Sequence, residues 1–197
     1  MSLLEELARE VGVHERTLRR AVGGGLIHAR RPSSHRLFLS EQEATWIRSY
    51  WPLVGQLRAA LRTEPNVELG VLFGSVARGE NVKGISDIDL LVELRQPAPG
   101  ALEALRQRLE RRLDTNVELV PLQAALRDSR LLSEVLRDGR PLVDREGIWP
   151  GLQAQRDQVQ VQADIAGREL GREARAALGY FQQLAAERAQ PSADGGR

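Results

Sequence analysis

The chain has 197 residues, of which 42% are hydrophobic and 28% charged, with a formal net charge of +1. That allows one medium domain or two small ones around a packed core, and it argues against a surface coated by nucleic acid. The absence of cysteine excludes disulfides, thiolate catalysis and cysteine-type zinc sites. No apolar run approaches a membrane span and Met1-Ser2-Leu3 lacks the basic start of a leader, so the expectation is a cytoplasmic protein that does not meet a membrane.

Residues 1–50 read as a small helical unit. Ser2 and Glu5 form a capping box that opens a helix to Glu10, with Leu3, Leu4, Leu7, Ala8 and Val11 as its apolar stripe. Gly12-Val13 breaks it, and a second helix runs from His14 to Val22 with Leu18 and Ala21 inward. Ala8, Gly12 and Leu18 have the spacing of a helix-turn-helix, whose tight turn needs a small residue, a glycine able to take positive φ, and an apolar docking residue. Two alternating runs, 26–31 and 35–39, flank a turn at Pro32-Ser33-Ser34 and read as a hairpin. The segment resembles winged helix-turn-helix regulators, and small modules of this kind also serve as protein-docking units. Between His14 and Arg36 stand six arginines against one glutamate, together with all three histidines. That is the footprint of a DNA reader, with His14, Arg16, Thr17, Arg19, Arg20, Arg30, Arg31 and Arg36 as the contacting residues.

Ser40-Glu41-Gln42-Glu43 repeats the capping box and starts a helix through Trp46, Ile47 and Tyr50. Pro52 is expected to interrupt it, so that 51–63 becomes the first helix of a second domain spanning 51–148. Val67–Phe73 reads as a buried strand, followed by a turn at Gly74-Ser75, a short helix, a glycine-broken loop and a second apolar strand carrying Asp87 and Asp89. Residues two apart on a strand share a face, so these carboxylates stand side by side and repel unless a cation lies between them. Oxygen-only ligands suit Mg²⁺ or Mn²⁺. Gly74 and Ser75 offer backbone N–H groups, close approach and a hydroxyl, the equipment for holding phosphate. A phosphate cradle beside a metal pair implies phosphoryl or nucleotidyl transfer.

These residues carry a resemblance. Gly74-Ser75 followed by Asp87-Ile88-Asp89 between apolar residues resembles the signature of the polymerase-β-type nucleotidyltransferase superfamily, and G-S-V-A-R-G-E…S-D-I-D-L-L-V is most similar to its minimal (MNT) members. The resemblance covers roughly 64–144. It implies a third carboxylate on a later strand, and Glu118 in Val117-Glu118-Leu119-Val120 is the matching residue. Glutamate departs from the aspartate of many minimal members; Asp114, the rival, precedes the strand and reads as a helix-end turn residue. The resemblance further implies ATP as co-substrate and two Mg²⁺ ions on Asp87, Asp89 and Glu118. It also implies that the partner is a HEPN-type toxin, adenylylated on tyrosine, with operator DNA bound by the wing for autoregulation. Arg78 either meets nucleotide phosphate or pairs with Glu80 or another acid to fix the turn. Lys83, the only lysine, reads as a solvated loop residue, and Ser86 as the start of the strand.

Downstream, Pro97–Gly100 ends the second strand, 101–113 is an amphipathic helix, and 116–121 the third strand. A helix within 122–138 leads to a last strand at the sheet edge near Gly139–Asp144, and Gly147–Gly151 reads as a break. Residues 149–189 form a helical extension and 190–197 a disordered tail. The fold class is therefore α+β: an N-terminal winged helix-turn-helix, a central nucleotidyltransferase fold with a mixed sheet and helices, and a C-terminal helical tail. A paired operator would favour a homodimer. A regulator or masking antitoxin whose nucleotidyltransferase-like domain is not catalytic is the alternative.

Overall fold

The computed structural model describes residues 3–33, 36–80 and 87–189. The expectations for Ser2, Ser34, His35, Lys83, Ser86 and the 190–197 tail lie outside these residues.

The chain opens with α1 (Leu3–Glu10) and α2 (Glu15–Gly23). They meet through Leu4, Leu7, Ala8, Leu18 and Ala21, all buried, and Gly12 between them has φ +71°. A short antiparallel pair follows, β1 (Arg30–Ser33) and β2 (Arg36–Phe38), with Arg30 opposite Phe38. Pro32 and Ser33 thus belong to β1 rather than to the turn.

Next comes α3 (Glu41–Arg62), one helix of 22 residues with Pro52 inside it. The expected interruption does not occur. Proline removes the hydrogen bond to the carbonyl four residues earlier, that of Arg48. Arg48 and Pro52 both lie on the exposed side of α3, so that carbonyl is left facing water rather than buried. The apolar stripe continues unbroken across the proline, through Trp46, Ile47, Trp51, Val54, Leu57 and Leu61.

A four-stranded mixed sheet holds the centre, in the order β5-β4-β3-β6, built from β3 (Val67–Phe73), β4 (Ile88–Leu94), β5 (Val117–Pro121) and β6 (Arg140–Asp144). β3 pairs antiparallel with both β4 and β6, and β4 pairs parallel with β5, with β6 at the edge as expected. Both faces are covered. Val67, Leu72, Leu90, Val92 and Val117 pack with α3, the helix α5 (Ala101–Leu113) and the N-terminal helices. Leu69, Val71, Phe73 and Leu91 pack on the other side. Double burial is why β3 and β4 read as near-continuous apolar runs rather than alternating ones.

The second face is covered by α6 (Leu122–Ala125), α7 (Ser129–Asp138), α8 (Ile148–Gln153) and the start of α9 (Arg156–Ala189). The single helix expected within 122–138 is two, because Asp128 caps α7 through the N–H groups of Arg130 (3.0 Å) and Leu131 (3.2 Å). The expected break at 147–151 is mostly α8: Asp144 accepts from the N–H groups of Ile148 (2.9 Å) and Trp149 (3.1 Å) and so starts a helix. The extension is helical as expected, with Val159 and Ala163 buried and Val161, Ile165 and Leu170 exposed.

Glu43 corrects the capping-box expectation in one half. Ser40 Oγ does accept from the Glu43 N–H at 3.1 Å. The Glu43 side chain does not reach back. It turns inward to Arg140 on β6, with both oxygens on the guanidinium at 2.6 and 3.0 Å and both residues about 95% buried.

Candidate active site

The site lies where β3 and β4 end. β3 stops at Phe73 and passes directly into α4 (Gly74–Arg78), with Gly74 at φ +70°. A Cβ added at Gly74 would collide with the Asp89 carboxylate and is already disfavoured by that φ. Glycine here is what lets the backbone lie directly against the carboxylate.

Asp89 sits opposite Phe73 on one side and in register with Glu118 on the other. Residues in register on neighbouring strands share a face at about 4.8 Å spacing, so Asp89 and Glu118 stand beside each other. Both belong to the second face of the sheet, beyond the point where Phe73 and Leu91 end its apolar cover. Glu118 is exposed, as the flanking Val117 and Leu119 suggested, at the rim of a second core rather than on a bare face. Asp87 is the exposed residue immediately before β4, so the strand proper carries one of the two aspartates and its mouth the other.

The electrostatics follow from this placement. Asp89 is half-buried, and its carboxyl is pushed above its ordinary value by burial first, then by Glu118, then by Asp87, with Arg78 acting the other way. Two further acids therefore act on Asp89 at the end of the sheet. Among the described residues no three His, Asp or Glu side chains close into a ready-made metal cage. The chemistry of the donors still fits a divalent cation: the set is all oxygen, it shares one face, and its mutual repulsion is what such an ion relieves.

Arg78 ends α4 half-buried, with Nε on Glu80 at 2.7 Å and Nη1 on Asp138 at 3.5 Å. Hydrogen bonding to Glu80 raises its pKa further. That is the turn-fixing geometry weighed in the sequence, and its charge also reaches Asp89. Ser75 is half-buried in the first turn of α4 next to Gly74.

In the N-terminal unit, Arg16, Thr17, Arg20 and Arg30 are exposed. His14 caps α2, its Nδ1 accepting from the Arg16 N–H at 3.0 Å. Arg19 pairs with Glu15 at 2.6 Å. Arg31 lies on β1 and Arg36 on β2. The residues that sequence reasoning missed are Glu43, Trp46 and Arg140. Their role was not visible locally: Glu43 and Arg140 are 97 positions apart, and Glu43 read as a cap. The one available signal was its position three and four residues before Trp46 and Ile47, on the inward face of α3.

Residues 54–142 match the family described as the nucleotidyltransferase domain. The segment runs from α3 to β6 and contains the three acids and the glycine turn. Among solved structures, this chain is similar to one of a toxin–antitoxin with AMP-PNP, at 25% identity over 66% of this chain and 98% of that one, TM-score 0.44. It is also similar to one of a tri-AMPylated Shewanella oneidensis HEPN toxin with its MNT antitoxin, at 24% identity over 67% and 98%, TM-score 0.41. A third is the MntA–HepT toxin–antitoxin, at 24% identity over 67% and 98%, TM-score 0.41. No curated protein matches the chain.

Proposed function

We propose that this protein is a Mg²⁺-dependent nucleotidyltransferase that moves NMP from ATP to a hydroxyl on a partner protein, and that its N-terminal unit, a winged helix-turn-helix, binds operator DNA. The observation that carries the reading is the in-register pair Asp89–Glu118, with Asp87 beside it, against the Gly74-Ser75 turn and inside the nucleotidyltransferase domain.

Asp87, Asp89 and Glu118 are the residues that would hold the metal, which supplies charge neutralisation at the phosphates and a more acidic acceptor hydroxyl. Gly74 and Ser75 bind the β- and γ-phosphates through backbone N–H groups and the hydroxyl. In transfer, the acceptor oxygen forms a bond to the α-phosphorus while the bond from that phosphorus to the bridging oxygen breaks, and pyrophosphate leaves. Glu118, the most exposed strand acid, receives the acceptor proton. Arg78, held by Glu80 and Asp138, contributes positive charge beside Asp89.

The acceptor class rests on the motif resemblance to minimal family members, and is a tyrosine of a HEPN-type toxin. Binding of operator DNA is supported by the exposed Arg16, Thr17, Arg20 and Arg30, and a paired operator would call for a homodimer that autoregulates the shared operon. The test is transfer of label from α-labelled ATP with Mg²⁺ to the product of the neighbouring gene. Label should appear with the wild type and vanish with Asp87→Asn/Asp89→Asn, while DNA binding persists. Label that persists in the variant, or no Mg-ATP binding by the wild type, would sink the catalytic reading and leave a DNA-binding regulator.

A further inference from the structure

The helix that presents Gly74 and Ser75 is too short to place itself. α4 has five residues. At its C-terminal end the Gly79 N–H bonds to Ser75 O and Val76 O, and the Glu80 N–H to Ser75 O at 2.9 Å. A single turn of helix fixes more torsions than its hydrogen bonds repay, so its position has to come from outside.

Besides the burial of Val76 and Ala77 and the Arg78–Asp138 pair, two buried side chains grip its backbone. Trp46, on α3, donates its Nε1–H to Val76 O at 2.9 Å. Arg140, at the start of β6, donates Nε–H to Ala77 O at 2.8 Å. The two are themselves locked together, with the guanidinium carbon of Arg140 3.6 Å from the centroid of the Trp46 ring. The remaining donors of Arg140 go to Glu43 and to Leu26 O at 3.0 Å, and Glu43 also accepts the His28 N–H at 2.9 Å. Leu26, His28, Glu43 and Trp46 all precede the nucleotidyltransferase match, which begins at residue 54.

We infer that Trp46 and Arg140 are positioning residues for nucleotide binding: they hold the carbonyl end of α4 and so set where the Gly74-Ser75 turn stands relative to Asp89. This rests on the nucleotidyltransferase reading above. The N-terminal unit is then part of the nucleotide site's scaffold. Arginine is needed at 140 for its shape as well as its charge, because only a fork can serve Glu43, Ala77 O and Leu26 O together.

Two variants separate positioning from general support. Arg140→Lys keeps a cation for Glu43 and loses the fork. Trp46→Phe keeps a ring under the guanidinium and loses only the donor to Val76 O. For each, Mg-ATP affinity is measured by calorimetric titration and amide exchange by mass spectrometry across the chain. The expected result is a Kd raised about tenfold, the scale of losing an outer partner of a binding group. Exchange should speed up in 74–80 and stay unchanged in Ala101–Leu113. Wild-type Kd and exchange in folded variants would overturn the inference, and so would exchange that rises equally everywhere. If the wild type itself does not bind Mg-ATP, the nucleotide reading falls, and exchange confined to or absent from 74–80 still decides whether Trp46 and Arg140 position α4.

Discussion

Asp89 shows how a residue proposed to hold the metal can be costly to the fold. Burial, Glu118 and Asp87 together hold its carboxyl above the ordinary value of 3.8. An acid whose folded pKa is raised contributes its stability when protonated, below the ordinary value, and loses that contribution as pH rises through the raised one. At neutral pH the ionised Asp89 therefore works against folding. Asp89→Asn should melt at the same temperature as the wild type or higher at pH 7, and the difference should disappear below about pH 4. Mg²⁺ should raise the melting temperature of the wild type and leave Asp89→Asn nearly unchanged, while transfer activity is lost in the variant. Differential scanning calorimetry at pH 7 and below about pH 4, with and without Mg²⁺, checks the stability arms, and transfer of label from α-labelled ATP checks the activity arm. The two aspartates were readable in the sequence because their relation is local, with one residue between them in Asp87-Ile88-Asp89, whereas Glu118 was named only through the resemblance, which implies a carboxylate on a later strand. Glu43 was not, since a glutamate three residues after a helix-capping serine has a local explanation that is usually right.

Among the elements, α3 differs most from its sequence reading. Proline inside a helix costs about 3 kcal/mol relative to alanine, which is why Pro52 reads as a stop. The structure keeps the helix because the inward stripe either side of Pro52 is buried and the lost bond lies on the wet side. Pro52→Ala should restore the bond to the Arg48 carbonyl. It should stabilise the protein by about 1–2 kcal/mol, the helix gain being offset in part by the freer unfolded chain. Urea denaturation at constant m-value is the measurement, and destabilisation would mean that the proline shapes the bend of α3 against the sheet. By contrast α5 matches its sequence reading at both ends, with Asp114 as the left-handed residue that closes it. The strands were legible for the opposite reason to α3, since unbroken apolar runs point to a sheet covered on both faces.

At the scale of the molecule, the expected boundary between 50 and 51 falls inside α3, and the contacts around it do not respect a division. Leu7, Leu18, Leu26 and Ile27 belong to the same apolar cluster as Leu72, Leu90 and Leu142 of the sheet. The Glu43–Arg140 pair crosses the same seam, with only 4–5% of either residue exposed. A buried arginine stripped of its carboxylate is destabilising by about 3–5 kcal/mol, a large part of the stability of a domain this size. Removing 1–50 would also uncover the inner face of α3. A chain of residues 51–197 should therefore fail to melt cooperatively and should lack near-ultraviolet circular dichroism, although the whole match to the nucleotidyltransferase domain is retained in it. A sharp transition at the wild-type temperature would show instead that the nucleotidyltransferase domain stands alone and that the seam is only a docking contact. The sequence could suggest a short connection between the units but not their shared core, because periodicity within a helix says which face is buried and not what covers it.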